Sequence, residues 1–221
     1  MAGTIENGRT RWLIIFVKEP RPGRVKSRLA TDLGTVRAAR WYRQQSLAVI
    51  GRLGSDPRWK TVLAVTPDNE GLRSQIWPAH LPRIGQGAGC LGARMARVMR
   101  RLSPGPALIV GSDTPGATPR HVEQAFGLLG NHDAVFGPSP DGGYWLVGLR
   151  RSRAISARTF RNVRWSSKHA LADSAISLNC RSIGTAVQLH DVDTVRDLAP
   201  ARAEAPVFRS GPAPLPFRWS S

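Results

Sequence analysis

"PALIVGSDTPG", residues 106–116, is the stretch on which the reading of the fold turns. The apolar residues Ala107 to Val110 run straight into Gly111, Ser112, Asp113 and a proline turn. A short apolar run without polar alternation is the pattern of a strand buried on both faces of a parallel sheet. Asp113 closes that strand, so it points into the crevice beyond the carboxyl end, where open parallel sheets bind their ligands. Two readings of it stand side by side. It is a ligand for a hard cation such as Mg²⁺ or Mn²⁺, or it caps the turn that Pro115 enforces.

Two earlier segments repeat the same pattern. "RWLIIFVK" (11–18) and "KTVLAVT" (60–66) read as buried strands. Between them, Val36, Ala39, Tyr42, Ser46, Val49, Ile50 and Leu53 recur at three- and four-residue steps, which predicts an amphipathic helix over 35–53. A short helix is expected over 69–77. A Gly-rich link (85–92) then opens a helix with Leu91, Met95, Val98 and Leu102 on one face. Thr118 is the expected N-cap of the next helix, with Pro119 at its first position and an end near Gly130. "DAVFGP" (133–138) and "GYWLVGLR" (143–150) are strands joined by the turn signal "SPDGG". Helices around 152–160 and 167–179, a strand over 183–190 and a short helix after Asp193 complete the pattern. Strands alternating with helices predict an α/β fold, a mostly parallel central sheet with helices on both faces. One domain over 1–200 is expected, followed by a poorly ordered Pro/Ala-rich tail over 201–221.

Composition limits the functions to be considered. The chain has 221 residues, and 32 Lys and Arg against 15 Asp and Glu give a net charge of +17. Such an excess attracts nucleic acid, anionic lipid or phosphorylated metabolites. The basic residues are scattered, however, without long blocks or a familiar nucleic-acid motif. A non-catalytic nucleic-acid binder is therefore the lesser reading; it would need neither Asp113 nor Asp193. The apolar run Trp12 to Val17 is too short for a signal-peptide core or a membrane span. Cys90 and Cys180 form no CxxC pair, and a reducing, cytoplasmic setting is expected. No oligomeric state follows from the sequence.

Two more polar clusters fall at strand ends. "VKEPRPGRVKSRLA" (17–30) follows the first strand and carries Lys18, Arg24, Lys26 and Arg28 around a tight turn at Gly23. Its basic side chains suit phosphate oxygens, although its spacing fits neither GxGxxG nor GxxxxGK[ST]. "HDVDTVRDL" (190–198) places Asp191 and Asp193 on one side of an extended backbone. Asp193 and Thr194 also suit a helix cap. Asp141, in the DG turn, reads as a hairpin residue or as an acceptor-site base, with Gly142 and Gly143 permitting close approach of a ligand. Trp165 precedes Ser166 and Ser167, which offer N-cap chemistry or an acceptor platform.

Read together, "VKEPRPGRVKSRLA", "GSDTPG", "GPSPDGGYWLVGL", "WSS" and "DVDTVRDL" resemble the rSAM/selenodomain-associated transferase family over residues 12 to 200. Some of its members are named as glycosyltransferases of arsenosugar biosynthesis. The layout is more distantly similar to that of guanylyltransferases of the molybdenum cofactor and of phospholactate. Gly116 stands where the family's motif carries an acidic residue, and Ser167 where it carries Thr. The resemblance implies a GT-A, nucleotide-diphospho-sugar transferase fold. It also implies a Mg²⁺-assisted transferase that acts with a nucleotide-sugar, or with an NTP, on a small-molecule acceptor. Lys18, Gly23, Arg24, Lys26 and Arg28 would then hold phosphate, with Lys26 and Arg28 also stabilising the leaving group. Asp113 and Asp193 would bind the metal, with Asp191 as substitute. Asp141, Gly142, Gly143, Trp165 and Ser166 would form the acceptor side, with Asp141 as base.

Overall fold

In the computed structural model, which describes residues 10–156, 158–180 and 182–198, all seven strands join one sheet. They are β1 (Trp12–Lys18), β2 (Lys60–Thr66), β3 (Arg83–Gly85), β4 (Ala107–Gly111), β5 (Ala134–Pro138), β6 (Tyr144–Leu149) and β7 (Ile183–Thr185). Their order is β3-β2-β1-β4-β6-β5-β7, and β6 alone runs against the others. The chain steps outward from β1 through β2 to β3, then returns to place β4 on the other side of β1. A sheet whose order reverses in this way opens a crevice at the carboxyl ends of the two strands flanking the reversal. Here those strands are β1 and β4.

Alternation of side chains sorts the core into two layers. Leu13, Ile15 and Val17 of β1 face α2 (Thr35–Leu53) and α5 (Pro119–Asn131), packing with Ile50, Leu53 and Phe126. Ile14 of the same strand and Ile109 of β4 face α4 (Leu91–Arg101), against Met95, Val98 and Met99. Each of these buried side chains contributes about 1.5–3 kcal/mol through loss of apolar contact with water. The expected stripe on α2 is buried from Ala39 to Leu53, but Val36, in the first helical turn, is 68 % exposed. Thr118 caps α5 as its sequence implies, its Oγ1 accepting the His121 N–H at 3.4 Å, with Pro119 at the first helical position.

Several expectations are corrected. Two elements had not been read: α1 (Ser27–Leu33) directly behind the basic loop, and β3, which leads into the Gly-rich link. The short helix expected over 69–77 is α3 (Asp68–Arg73), and that over 167–179 is α6 (Ala170–Leu178). Among the described residues no helix forms around 152–160. Arg151 and Phe160 adopt positive φ of 53° and 61°, which an α-helix cannot contain. The Phe160 ring anchors this irregular segment in the core at 1 % exposure, and its N–H is satisfied by Ser177 Oγ at 3.1 Å.

The strand expected over 183–190 is only the three residues of β7. Beyond it the chain crosses the ends of the sheet, with Ala186 N–H donating to Phe136 O, Leu189 N–H to Pro138 O and Val192 N–H to Asp113 O. This crossing carries Asp191 and Asp193 from the far sheet edge back to β4. The turn after it is a 3₁₀ helix, Val195–Asp197, in which Thr194 rather than Asp193 is the cap. The tail read over 201–221 lies outside the described residues.

Candidate active site

The loop leaving β1 turns at Gly23 (φ 76°) and delivers Lys26 at the N-cap of α1 in a left-handed conformation (φ 47°). Its side chain passes inward and is only 7 % exposed, with Nζ 2.7 Å from Asp113 Oδ2 and 2.7 Å from Asp193 Oδ1. Burial acts to lower the basicity of this ammonium, but the two carboxylates outweigh it and hold the group above the ordinary lysine value. Arg28 lies at the rim, its Nη1 3.4 Å from Asp193 Oδ2. Arg24 and Arg21 each reach Glu70 at 3.0 Å in exposed pairs that tie the loop to α3.

The end of β4 is fixed to the same loop through α2. Tyr42 Oη accepts the Lys18 N–H at 2.9 Å and bonds Ser112 Oγ at 3.0 Å, and Ser46 Oγ donates to Ser112 from the same helix. Tyr42 had been read as one more position in the apolar stripe. It is buried at 6 % exposure, yet its hydroxyl connects the strand ends beneath Asp113.

On the far wall, Asp141 Oδ1 accepts the Gly143 N–H at 2.9 Å, closing the turn between β5 and β6. Gly142 has φ 84°, and a Cβ there would collide with the Lys168 backbone, so its small size serves the packing of 168 onto the turn. Ser167 does not act as an N-cap; its Oγ donates to Arg164 O and accepts the His169 N–H, while α6 begins after His169. Ser166 takes a positive φ of 57° beside Trp165.

A cavity of about 850 Å³ lies between these walls. Lys18, Gly23, Arg24, Lys26 and Arg28 line one side; Asp113, Asp191 and Asp193 the floor; Asp141, Gly143, Trp165 and Ser166 the other side. Of the residues expected at the site, Gly142 alone is outside this lining. Tyr42, Leu91, Tyr144 and Lys168 also line the cavity and had not been singled out for it. Lys168, directly after "WSS", carried a signal in its charge; Tyr144 and Leu91 read simply as strand and helix residues.

Negative charge is crowded on the floor. Asp191 is pushed up to about 6 by burial first, and then by the charges of Asp113, Asp193 and Asp141. Its folded pKa lies above the unfolded value, so its contribution to stability is full at acid pH and is lost as pH rises through about 6. Asp191→Asn should therefore melt higher than the parent at pH 8. After allowance for solvent screening the gain should be on the order of 1 kcal/mol. The two proteins should converge near pH 4, and equal melting temperatures at pH 8 would contradict this account of the site.

The donor set suits a divalent cation in kind: carboxylate oxygens from two loops, beside an Asp191 that burial, and then the neighbouring carboxylates, push up to about 6. Among the described residues no group of three or more His, Cys, Asp or Glu side chains is arranged to hold a metal. A Mg²⁺ ion here would draw its remaining ligands from water and from substrate phosphates, as that ion commonly does.

This architecture has known counterparts. A candidate nucleotide-diphospho-sugar transferase from Desulfovibrio desulfuricans G20 superposes with a TM-score of 0.75 at 27 % identity, covering 85 % of this chain and 84 % of that one. The 4-diphosphocytidyl-2C-methyl-D-erythritol synthase of Anaerococcus prevotii DSM 20548 matches with a TM-score of 0.55 at 12 % identity, over 89 % and 98 % of the two chains. Glucosyl-3-phosphoglycerate synthase of Mycobacterium tuberculosis, in complex with Mn²⁺, UDP and glucosyl-3-phosphoglycerate, matches with a TM-score of 0.55 at 11 % identity, over 88 % and 77 %. The last two likenesses concern the fold alone. No curated protein sequence matches significantly.

The fold is thus the GT-A-like fold of nucleotide-utilising transferases, and by fold class the protein is a transferase. The chain belongs to the bacterial family DUF2064, described as "Uncharacterized protein conserved in bacteria", which matches residues 49–167. Among the described residues no helix is long and apolar enough to cross a membrane.

Proposed function

We propose that this protein transfers a glycosyl group from a nucleotide-diphospho-sugar to a small-molecule acceptor. One observation carries the reading. The basic loop after β1, the carboxylates Asp113 and Asp193, and Asp141, Trp165 and Ser166 all line one cavity. Its volume of about 850 Å³ is near the upper end for small-molecule pockets, large enough for donor and acceptor together.

Lys26 and Arg28 place positive charge where a departing diphosphate gains negative charge, and Lys18 and Arg24 hold the outer phosphate oxygens. Asp113 and Asp193 would hold Mg²⁺, which when bound screens the diphosphate. Trp165 offers a flat face for the acceptor, and Asp141 takes the proton from its attacking hydroxyl. The site lies within the single domain read over 1–200. Free thiols at Cys90 and Cys180 fit a reducing, cytoplasmic setting.

Nucleotidyl transfer is the second reading, favoured by the three basic side chains Arg24, Lys26 and Arg28, which suit a triphosphate. A thermal-shift panel of UDP-, GDP- and ADP-sugars against the four NTPs, with and without Mg²⁺, separates the two. A ligand at about 100 times its Kd adds about 2.7 kcal/mol, a rise of several degrees for a chain of this size. Stabilisation by a nucleotide-sugar supports glycosyl transfer, and arsenosugar-type acceptors are then the first to assay. Stabilisation by an NTP alone supports nucleotidyl transfer. No Mg²⁺-dependent shift with any of them refutes both.

A further inference from the structure

Lys26 stands in an unusual relation to the two carboxylates. Asp113 ends β4 and Asp193 lies on the segment returning from β7, yet a single ammonium bridges them at 2.7 Å on each side. The four-carbon stem is almost fully enclosed, while the Asp113 and Asp193 side chains are 30 % and 38 % exposed toward the cavity. An ammonium is a compact cation that uses the same carboxylate lone pairs as a hard metal ion. Mg²⁺ would require those oxygens at about 2.0–2.1 Å and in near-octahedral arrangement. A doubly charged ion on the same two oxygens would repel the Lys26 ammonium and weaken both of its contacts.

We infer that Lys26 and a divalent cation are alternative occupants of the Asp113–Asp193 pair. In the free protein the lysine serves as the internal cation. A ligand with a di- or triphosphate attracts the ammonium to its own oxygens, and the two carboxylates become available to metal. The metal therefore binds well only together with the phosphate ligand, and each raises the affinity of the other by the same factor. The open position of Gly23, with nothing within 4 Å of a Cβ built there, leaves room for phosphate beside the loop from which Lys26 projects. This inference rests on reading Asp113 and Asp193 as the metal pair, and it holds whichever group is transferred.

The test is a Mn²⁺ titration of the full chain without nucleotide, with free Mn²⁺ read by electron paramagnetic resonance. Lys26→Met should bind Mn²⁺ about tenfold or more tightly than the parent, within the usual range of coupling between sites. Lys26→Arg, which keeps the charge, should bind as weakly as the parent. The gain should vanish in Lys26→Met/Asp113→Asn. Arg28→Met removes an equal charge from the exposed rim and should gain less than about threefold, since exposed charges are screened. Equal affinity in Lys26→Met and parent, or an equal gain in Arg28→Met, overturns the inference.

Should Lys26→Met fail to fold, ¹⁵Nζ-lysine NMR of the parent answers the same question, with Lys26→Arg identifying the signal. Saturating Mg²⁺ together with inorganic pyrophosphate should displace the Lys26 ammonium resonance; an unchanged resonance refutes the exchange. The nucleotide reading fails separately. A protein that shows the Mn²⁺ gain but binds no nucleotide keeps the exchange and loses the proposed reaction.

Discussion

Asp113→Asn is expected to lower kcat by about 10²–10³-fold, the usual loss when one preorganised electrostatic group is removed from a transition-state site. The asparagine keeps the shape of the side chain at the end of β4 and the backbone bond from Val192 N–H to its carbonyl. What disappears is one negative charge beside the diphosphate site. The fold should survive. Lys26 keeps Asp193 at 2.7 Å, and Asp191 loses one of the repulsions that raise its pKa. Stability should stay within about 1–2 kcal/mol of the parent, since one loss and one relief oppose each other. The comparison needs turnover with the nucleotide identified in the thermal-shift panel and a denaturant melt on the same preparation. Turnover within a few-fold of the parent would remove Asp113 from the chemistry.

Phe136→Ala should have the largest effect on stability, about 3–5 kcal/mol by the usual cost of emptying a buried aromatic site. Phe136 is 2 % exposed on β5, and its ring meets Tyr144 edge-on at a centroid distance of 5.0 Å. The cavity left behind would be bordered by β-strand backbone on one side, which relaxes little. For a domain of this size the melting temperature should fall by roughly 10 °C. The same ring supports Tyr144 in the cavity wall, where its hydroxyl meets Ser174 Oγ at 3.1 Å. Ligand affinity should therefore weaken together with the melt. A loss below about 1 kcal/mol would mean that the site collapses freely, against the close packing of protein interiors.

The core strands were legible because their signal is local. "WLIIFV", "TVLAV" and "ALIV" are apolar on both faces, the pattern of strands covered on both sides, as in a parallel sheet. Thr118-Pro119 likewise announced α5, since a cap depends on three or four consecutive residues. The segment 151–169 was illegible for the opposite reason. Its conformation is set by Phe160 buried under α4 and by positive φ at Phe160, Asn162 and Ser166. Such backbone states in non-glycine residues are held by distant contacts, which a local pattern does not carry.

The residues that meet at the cavity show the same division. Chemistry-bearing residue types at strand ends were visible in the chain: the basic loop, Asp113, Asp141, and the pair Asp191 and Asp193. By itself the sequence determined a mostly parallel α/β sheet and a short set of polar residues beyond its carboxyl ends, because burial and turn chemistry act over a few residues. Only the tertiary structure decided that Lys26 lies between Asp113 and Asp193, and that Tyr42 joins the strand ends from an otherwise apolar helix face. Those contacts depend on the return of the chain from β7 across the sheet and on the order of strands around β1. They are long-range consequences of packing, and no spacing along the chain encodes them.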